Sequence, residues 1–418
     1  MADSRLGRGA LARPGLVAGA LAFAGLPLHV HAPRFYAEEM VVALPVLGAV
    51  LLGARAIDSI QDPVIGWLAD RLRRFREIWA IGAAILLGIG IATLFAPPGW
   101  GDPLPRLVIG LIAAFTGFSA LQIALYDHGL ALANSAGGDH TRVALWREVG
   151  GLTGICLASL LPPLLAMALG APAAYAGYAA VFSVIAVLAI AGMAGRWQAS
   201  DAPATGVAGF RRALSIPGVA PLLGLGFLNA LPTAVTSTLF LFFVADVLQA
   251  EPHAAPTLLL FFAAAAAAAP FWVRLAQRAG QRRALAAGMT LSVLAFAWAY
   301  NLGSGDIAAF YVIAATSGAA LGADMTLMPA MLAARIDGDG ARVFALWTFL
   351  QKSALALGAG VTLPVLAMAG FTPSEPIDSS GLAALSATYA LVPCLLKLVA
   401  IVTLYLISVK GRPARENV

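Results

Sequence analysis

Charged residues are scarce in this sequence, and their scarcity excludes most soluble proteins. Only 11% of the 418 residues are Asp, Glu, Lys or Arg, whereas 60% are hydrophobic and the mean hydropathy is +0.86. A soluble domain has roughly 25% charged residues. The apolar runs are long and do not alternate with polar residues, so an outer-membrane barrel is not expected either. The composition indicates a helical integral membrane protein.

Cysteine is nearly absent as well. Cys156 and Cys394 both lie in apolar runs, where they are interpreted as small buried residues and not as a disulfide framework or a metal site. No Ser-His-Asp set, His-rich cluster or phosphate-binding glycine loop is visible in the sequence. We therefore predict neither an enzyme nor a resident cofactor.

Long apolar runs, by contrast, fill the chain. Runs of about 20 apolar residues predict membrane-spanning helices. Twelve are present, near residues 15–37, 41–69, 78–97, 106–134, 143–169, 173–195, 216–249, 255–275, 284–303, 306–334, 342–371 and 383–409. The first run is interpreted as a span and not as a cleaved signal peptide, because it has no convincing cleavage site.

Basic residues are concentrated in alternate loops and at both ends of the chain, which predicts its orientation in the bilayer. They precede the first span and follow every even-numbered span, whereas the other loops are acidic. Both termini are expected in the cytoplasm, and the inner membrane of a bacterium is the expected location. The net charge of +5 reflects this bias, so no nucleic-acid partner is predicted.

The two halves of the chain repeat one pattern. Pro63 and Arg71 recur as Pro270 and Arg278, 207 residues later, and "DHTRVALW" returns as "DGARVFALW". Such a repeat is typical of secondary transporters, whose solute site lies between two bundles. It predicts an N-terminal six-helix bundle (1–195), a cytoplasmic linker (196–215) and a C-terminal six-helix bundle (216–418).

The second span contains charges that a hydrophobic helix does not need. Asp58 is three residues from Arg55 and from Gln61 and four from Asp62, so these side chains share one helical face. A charge at this depth costs roughly 2.5–3.5 kcal/mol on insertion scales, and adjacent carboxylates repel each other. A bound cation, a proton on one carboxyl or Arg55 must offset this cost.

Carboxylate and amide oxygens suit a small hard cation such as Na⁺, so Asp58, Gln61 and Asp62 are the predicted cation site. Pro63 frees a backbone carbonyl that could add an oxygen ligand, or it only kinks the helix. The alternative for the whole cluster is an ion pair between Arg55 and one carboxylate that merely holds the helix in place. When the two halves are aligned, Ala265 and Ala269 correspond to Asp58 and Asp62, so the fold itself does not require these carboxylates.

Charges in other spans suggest further roles. Lys352 lies too deep in the eleventh span to reach the interface easily, and it is predicted to act in solute binding or coupling, with a plain ion pair as the alternative. A cytoplasmic gate is predicted from four residues near span ends: Asp70, Arg71, Arg142 and Arg342. Positive-inside anchoring is the alternative for the residues at the end of the second span.

Several segments of the chain, including the charged second span, resemble those of the glycoside–pentoside–hexuronide:cation symporters, a family of the major facilitator superfamily. "RAIDSIQDPVIGWLADR" is similar to that family's pattern D-x-x-x-D-P-x-x-G-x-x-x-D-R in the second helix. Its fixed positions are Asp58, Asp62, Pro63, Gly66, Asp70 and Arg71. "FYAEEM" (35–40) and "DHTRVALWRE" (139–148) resemble two further family segments, and Lys352 lies where the family has a lysine in the eleventh helix.

The resemblance implies the major facilitator fold, an all-α membrane protein with 12 transmembrane helices in two pseudo-symmetric bundles. It implies coupling to Na⁺, Li⁺ or H⁺ through Asp58 and Asp62, with Arg147 and Lys352 near the solute or the coupling site. Tyr36 and Asp127 are further candidates for solute contact. Gln61 replaces the asparagine that is usual in the family, so the identity of the ion stays open.

The predicted function is cation-coupled symport of a small, sugar-like organic solute by alternating access. The partners are the solute, the coupling cation and the lipid bilayer, and the functional unit is expected to be a monomer. The alternative is a proton-coupled transporter of an amphipathic solute such as a lysolipid or a drug.

Overall fold

The computed structural model describes residues 8–96, 101–135, 140–198, 214–335, 340–372 and 379–407, and these residues form long helices. In the N-terminal half they are α1 (Arg8–Leu26, continued by a π-helical turn Pro27–His31 and by Ala32–Glu38), α2 (Leu44–Arg71), α3 (Arg76–Leu94), α4 (Pro103–Ser135), α5 (His140–Leu169) and α6 (Ala171–Gly192).

In the C-terminal half they are α7 (Val219–Phe242, continued by a π-helical turn Phe243–Val247), α8 (Ala254–Ala279), α9 (Gln281–Ala299), α10 (Ile307–Ala333), α11 (Gly340–Met368) and α12 (Ser379–Leu406). Short 3₁₀ turns, Arg73–Phe75 and Glu251–His253, precede α3 and α8. No strand occurs in the described ranges, and the predicted all-α class is confirmed.

Eleven of these helices are long and apolar enough to cross a membrane. The twelfth, α9, is 19 residues long and begins "QRR". Because the helix is so short, its polar first turn lowers the hydropathy of any membrane-length window within it. The described ranges thus contain the twelve helices that the apolar runs predict.

The chain divides into two compact units, Met1–Ala204 and Thr205–Val418. The division falls within the predicted linker 196–215, of which residues 199–213 lie outside the described ranges. The core of the C-terminal unit contains Leu222, Met289 and Leu327 of α7, α9 and α10. In the N-terminal unit, fully buried Phe23 of α1 stacks on Tyr178 of α6.

Helix α3 has apolar side chains on its exposed face as well as on its buried face. One face, which includes Ala80 and Leu87, is buried in the bundle, and the opposite face is also apolar. The exposed stripe of that face consists of Ile78, Ile81, Ile85 and Ile89, at helical spacing. A helix that is hydrophobic all round requires an apolar surrounding, so this stripe is a lipid-facing surface.

The repeat is visible in the backbone as well as in the sequence. Val41 (φ 53°), between α1 and α2, and Gln249 (φ 52°), between α7 and α8, adopt the left-handed conformation. They are the two described non-glycine residues with positive φ. L-residues other than glycine adopt this conformation infrequently, so its recurrence at the corresponding loop of each unit is a structural trace of the repeat.

Close backbone contact joins α1 to α5 through glycines. A Cβ atom on Gly150 would overlap the carbonyl oxygen of Gly15, and one on Gly154 would overlap that of Gly19. Each helix therefore carries two glycines four residues apart on the shared face. Small residues at this spacing let membrane helices approach closely, and packing then holds them together.

We predict that Gly150→Ala destabilises the protein by about 1–3 kcal/mol, because the added methyl group meets backbone that cannot rotate away. Gly151→Ala is the matched control, since its Cβ would meet only the Ala22 methyl at 4.0 Å. Thermal unfolding of both variants in detergent measures the difference. Equal stability of the two variants would contradict the proposed contact.

Candidate functional site

The site is built around Asp58, which α2 holds inside the N-terminal unit with 1% of its surface exposed. Ser119 of α4 donates a hydrogen bond to its Oδ1 atom across 3.0 Å. On the other side, Nη1 of Arg55 lies 3.8 Å from Oδ2. A carboxylate at membrane depth thus has a hydroxyl from the neighbouring helix and a cation from its own helix as partners.

Gln61 connects this carboxylate to a second hydroxyl. Its Nε2 atom lies 3.4 Å from Asp58 Oδ1, and its Oε1 atom lies 2.9 Å from Oγ1 of Thr116. The Thr116 oxygen is also 2.7 Å from the carbonyl oxygen of Ile112, one turn earlier in α4. A threonine hydroxyl has a single proton, so Thr116 donates to only one of these two oxygens.

Arg55 is enclosed by groups of two other helices. Its guanidinium stacks on the ring of Phe115 of α4, with Cζ 3.9 Å from the ring centre. It also donates to Nε2 of His29 in α1. His29 Nδ1 lies 2.6 Å from the carbonyl oxygen of Gly25, so the His29 tautomer that satisfies both contacts has its proton on Nδ1.

The cluster has a net negative charge. Asp62 is half-buried one turn beyond Asp58, and its charge also acts on Arg55. One guanidinium and two carboxylates leave a net charge of −1 when all are ionised. The oxygen atoms available around it are those of two carboxylates, the Gln61 amide and the hydroxyls of Ser119 and Thr116. Such a set can bind one monovalent cation or accept one proton.

The corresponding place in the C-terminal unit is closed. Ala265, the residue that the repeat matches to Asp58, packs against Gly322 of α10, and a Cβ there would lie 2.6 Å from the Ala265 carbonyl oxygen. Gly318 makes a similarly close approach to Phe261. Small residues bring α8 and α10 together there, whereas Asp58, Ser119 and Phe115 place polar and aromatic side chains between α2 and α4.

Asp127 lies apart from this cluster and pairs with Arg76, the first residue of α3. Arg76 is 4% exposed, so the pair is buried and joins α3 to α4. This contact favours a structural role for Asp127, and its predicted contact with the solute stays a prediction.

Tyr36 is completely buried, and its hydroxyl donates to the Leu94 carbonyl oxygen across 3.0 Å. It also packs edge-on against Phe35. These contacts tie the end of α1 to the end of α3, and the structure does not bring Tyr36 into the Asp58 hydrogen-bond network. Its role in solute binding stays a prediction.

Two further candidates occupy different units. Arg147, near the start of α5, places its Cζ atom 4.5 Å from the ring centre of Tyr126 in α4. Lys352 is 7% exposed within α11 of the C-terminal unit. Both are cationic, as the resemblance implies, and neither is without an interaction partner.

The predicted gate is only partly described. Arg71 ends α2, is exposed, and lies over the Trp67 ring with Cζ 5.6 Å from its centre. The side chains of Asp70, Arg142 and Arg342 lie outside the described residues. The gate stays a prediction.

Sequence reasoning missed Ser119 and Thr116. They are three residues apart in α4 and face α2, but an isolated serine or threonine in an apolar helix is common and usually bonds to its own backbone. The sequence does contain one local indication: Thr116 and Ser119 are three residues apart on one helical face, next to Phe115. The sequence also gave no indication that Lys397 and Asp324 meet.

Two units of apolar helices with buried charges inside them are typical of membrane transporters. The family model "MFS/sugar transport protein" matches residues 15–411, and the chain belongs to this family. The predicted membership of the major facilitator superfamily is thereby confirmed. The protein is a multi-pass membrane transporter and not an enzyme.

Solved structures with the same fold include several transporters of low sequence identity. The nucleoside transporter NupG matches with a TM-score of 0.70 at 14% identity, over 95% of this chain and 98% of that one. A bacterial homologue of the human lysosomal transporter Spinster, inward-facing and unoccupied, matches with a TM-score of 0.67 at 14% identity, over 95% and 94%.

A bacterial homologue of the human drug peptide transporters matches with a TM-score of 0.64 at 13% identity, over 96% of this chain and 99% of that one. No curated protein matches the sequence. At these identities the likeness shows the fold alone.

We predict that Arg55→Met destabilises the protein by about 3 kcal/mol, because it leaves the buried Asp58 carboxylate and the half-buried Asp62 carboxylate without their cation. Arg74→Met, which removes an exposed arginine just beyond α2, is the control and should have little effect. The double variant Arg55→Met/Asp58→Asn should recover part of the loss, because it again has a net charge of −1.

Thermal unfolding in detergent gives the coupling between the two positions as a double-mutant cycle. If Arg55→Met and Arg74→Met had equal effects, the guanidinium would not be balancing the carboxylates.

Proposed function

We propose that this transporter is a symporter that couples the entry of a monovalent cation to the movement of a small, polar, sugar-like solute by alternating access. The observation that carries the proposal is the cluster of Asp58, Asp62, Gln61, Ser119 and Thr116. Together with Arg55 this cluster has a net charge of −1 at membrane depth, and the matched place in the other unit is an apolar contact.

The oxygen set favours a hard cation, and Na⁺ is the one we propose first. Hard cations with metal–oxygen distances of about 2.3–2.6 Å prefer carboxylate, amide and water oxygens. Asp58 Oδ1 and the nearest atom of the Gln61 amide are 3.4 Å apart, and oxygens at this separation can share one such ion.

The side-chain amide of Gln61 can turn over when an ion binds beside Asp58. In the described orientation its Nε2 atom faces Asp58 and its Oε1 atom faces Thr116. If the amide turns over, Oε1 faces the ion beside Asp58, and Nε2 donates to the Thr116 oxygen. Thr116 then donates to the Ile112 carbonyl oxygen, so every polar atom keeps a partner in both orientations.

In this proposal Arg55 determines how many monovalent cations neutralise the site. Without it the two carboxylates would have a charge of −2, and one monovalent ion would leave the site negative. With it, one Na⁺, one Li⁺ or one H⁺ brings the site to neutrality. Because a neutral site crosses the low-dielectric interior at lower cost than a charged one, ion binding favours the change of conformation.

The solute is proposed from the family description, with Arg147 and Lys352 as the cationic contacts. Both termini are proposed to lie in the cytoplasm of a bacterium, with the protein in the inner membrane as a monomer. Arg71, with Asp70, Arg142 and Arg342, is proposed to close the cytoplasmic side. The Gln61 replacement leaves Li⁺ and H⁺ as alternatives to Na⁺.

We expect Na⁺ to stabilise the purified protein against thermal unfolding more than K⁺ does at equal ionic strength. A ligand that binds only the folded state stabilises it by about 2.7 kcal/mol at 100 times its Kd. Asp58→Asn should abolish the Na⁺ effect, since Arg55 and Asp62 then balance each other. Gln61→Leu should weaken the effect.

Glu39→Gln is the matched control, because Glu39 is an exposed acid in the loop before α2. It should leave the response to Na⁺ unchanged. A wild-type protein that responds equally to Na⁺, Li⁺ and K⁺ would reject the metal ion, and uptake driven by a pH gradient would then identify a proton.

In proteoliposomes, an inward Na⁺ gradient should drive concentrative uptake of at least one solute from a panel of hexoses, pentoses, hexuronates, nucleosides, dipeptides and a lysophospholipid. Lys352→Ala should lower uptake about tenfold or more, because one charge-assisted hydrogen bond contributes roughly 1.5–3 kcal/mol. Ser353→Ala is the control, because Ser353 is a half-buried neighbour whose hydroxyl bonds to the Phe349 carbonyl oxygen of its own helix.

Uptake of a panel member that is indifferent to all ion gradients would contradict coupled transport. Uptake of the lysophospholipid alone would replace the sugar-like solute with an amphipathic one. Wild-type kinetics in Lys352→Ala would return this lysine to a structural role.

A further inference from the structure

Three polar side chains from three helices meet inside the C-terminal unit. Lys397 of α12 donates to Oδ2 of Asp324 in α10 across 2.6 Å and to Oδ1 of Asn229 in α7 across 2.7 Å. Lys397 is 3% exposed and Asn229 is 5% exposed. All three lie well inside their membrane-length helices, where a charge is costly and is generally functional.

The second oxygen of Asp324 sets this cluster apart from a simple ion pair. Its Oδ1 atom is buried, and no described residue donates a hydrogen bond to it. Buried polar atoms in native proteins nearly always have partners, and an exception points to a water, an ion or a reactive role. If the pair only joined helices, apolar side chains of similar volume could do so at no greater cost.

A small polar cavity adjoins the pair. Its volume is about 20 Å³, and Asp324 and Lys397 form part of its wall. Four hydroxyl side chains complete the polar lining: Thr233, Thr236, Ser292 and Ser317. A water molecule needs roughly 10–15 Å³ of such space and two to four polar partners, so the cavity can hold one water beside the carboxylate.

Two of these hydroxyls donate their protons to backbone carbonyl oxygens. Thr236 donates to the Pro232 carbonyl oxygen and Ser317 to the Ile313 carbonyl oxygen, each one turn back in its own helix. Their oxygen lone pairs therefore remain for a donor within the cavity. A water between these oxygens and Asp324 forms a hydrogen-bonded route along which a proton can reach the carboxylate.

We propose that Asp324 is a second ion-coupling site of this protein, that its ligand is a proton, and that Lys397 is the counter-charge. This goes beyond the proposed cation site, which lies on α2 in the other unit. The proton passes from the cavity water, as H₃O⁺, to Oδ1, and the carboxylate becomes a carboxylic acid. The hydrogen bond from Lys397 to Oδ2 weakens, and Lys397 keeps its bond to Asn229.

Lys397 alone balances this site electrically. Of the described residues that line the cavity, it is the one titratable group other than Asp324 itself. The helices packed around Asp324 contribute neutral groups there, namely Asn229 and the two threonines of α7, Phe261 of α8, and Ser292 and Phe296 of α9. The cluster is therefore neutral when Asp324 is ionised and has a charge of +1 when it is protonated.

Infrared difference spectroscopy of the full-length protein, titrated with acid in detergent, tests the proposal without a known solute. Within the pH range in which the protein stays folded, the wild type should show a carboxylic-acid C=O band that grows as pH falls and shifts in D₂O. Asp324→Asn, which is isosteric, should lose this band. Asp58→Asn should retain it.

Lys397→Gln supplies an independent test if Asp324→Asn does not fold. Removing the positive charge disfavours the carboxylate, so the midpoint of the band should move to higher pH. A wild-type spectrum identical to that of Asp324→Asn at every pH, or an unmoved midpoint in Lys397→Gln, would make the pair purely structural.

Loss of the band in Asp58→Asn would also overturn the assignment to Asp324, and it would assign the proton to α2 instead. Thermal unfolding can show no stabilisation by Na⁺ through Asp58 while the infrared band of Asp324 persists. The cation site and the proton site are therefore tested separately.

Discussion

A charge inside hydrocarbon must have a partner, and this constraint organises both units. In the N-terminal unit Arg55 and Ser119 offset the charge of Asp58, and in the C-terminal unit Lys397 does so for Asp324. Each partner comes from a different helix or a different turn, so each cluster also fixes how helices pack. The rest of the described surface and core is mostly apolar, as a protein in a bilayer requires.

The repeat shows what the fold needs and what function adds. Ala265 and Gly322 bring α8 and α10 into contact in one unit, whereas Asp58 and Ser119 occupy the contact between α2 and α4 in the other. If the charge were needed for folding, both copies would have it. Because one copy packs without it, the fold itself does not require Asp58, and this asymmetry supports the proposed cation site.

The sequence predicted the helices well because their signal is local. Apolar runs of membrane length identify α1 to α12, and the spacing of Arg55 and Asp58 predicts their contact. The remaining site residues depend on packing between helices: Ser119 is 61 positions from Asp58, Arg76 is 51 from Asp127, and Lys397 is 73 from Asp324. No local pattern encodes such contacts, and for this reason the sequence did not indicate that Arg76 of α3 pairs with Asp127.

The two clusters differ in the charge that remains, and this difference is the reason that we propose different ligands for them. Arg55, Asp58 and Asp62 together have a charge of −1, so a cation is attracted before any group changes its protonation state. Asp324 and Lys397 together are neutral, so a metal cation gains little there and is repelled by Lys397, whereas a proton can be delivered by a water in the cavity that both side chains line. A proton also forms a covalent O–H bond, which offsets the repulsion from Lys397 in a way that a metal ion at the same place cannot.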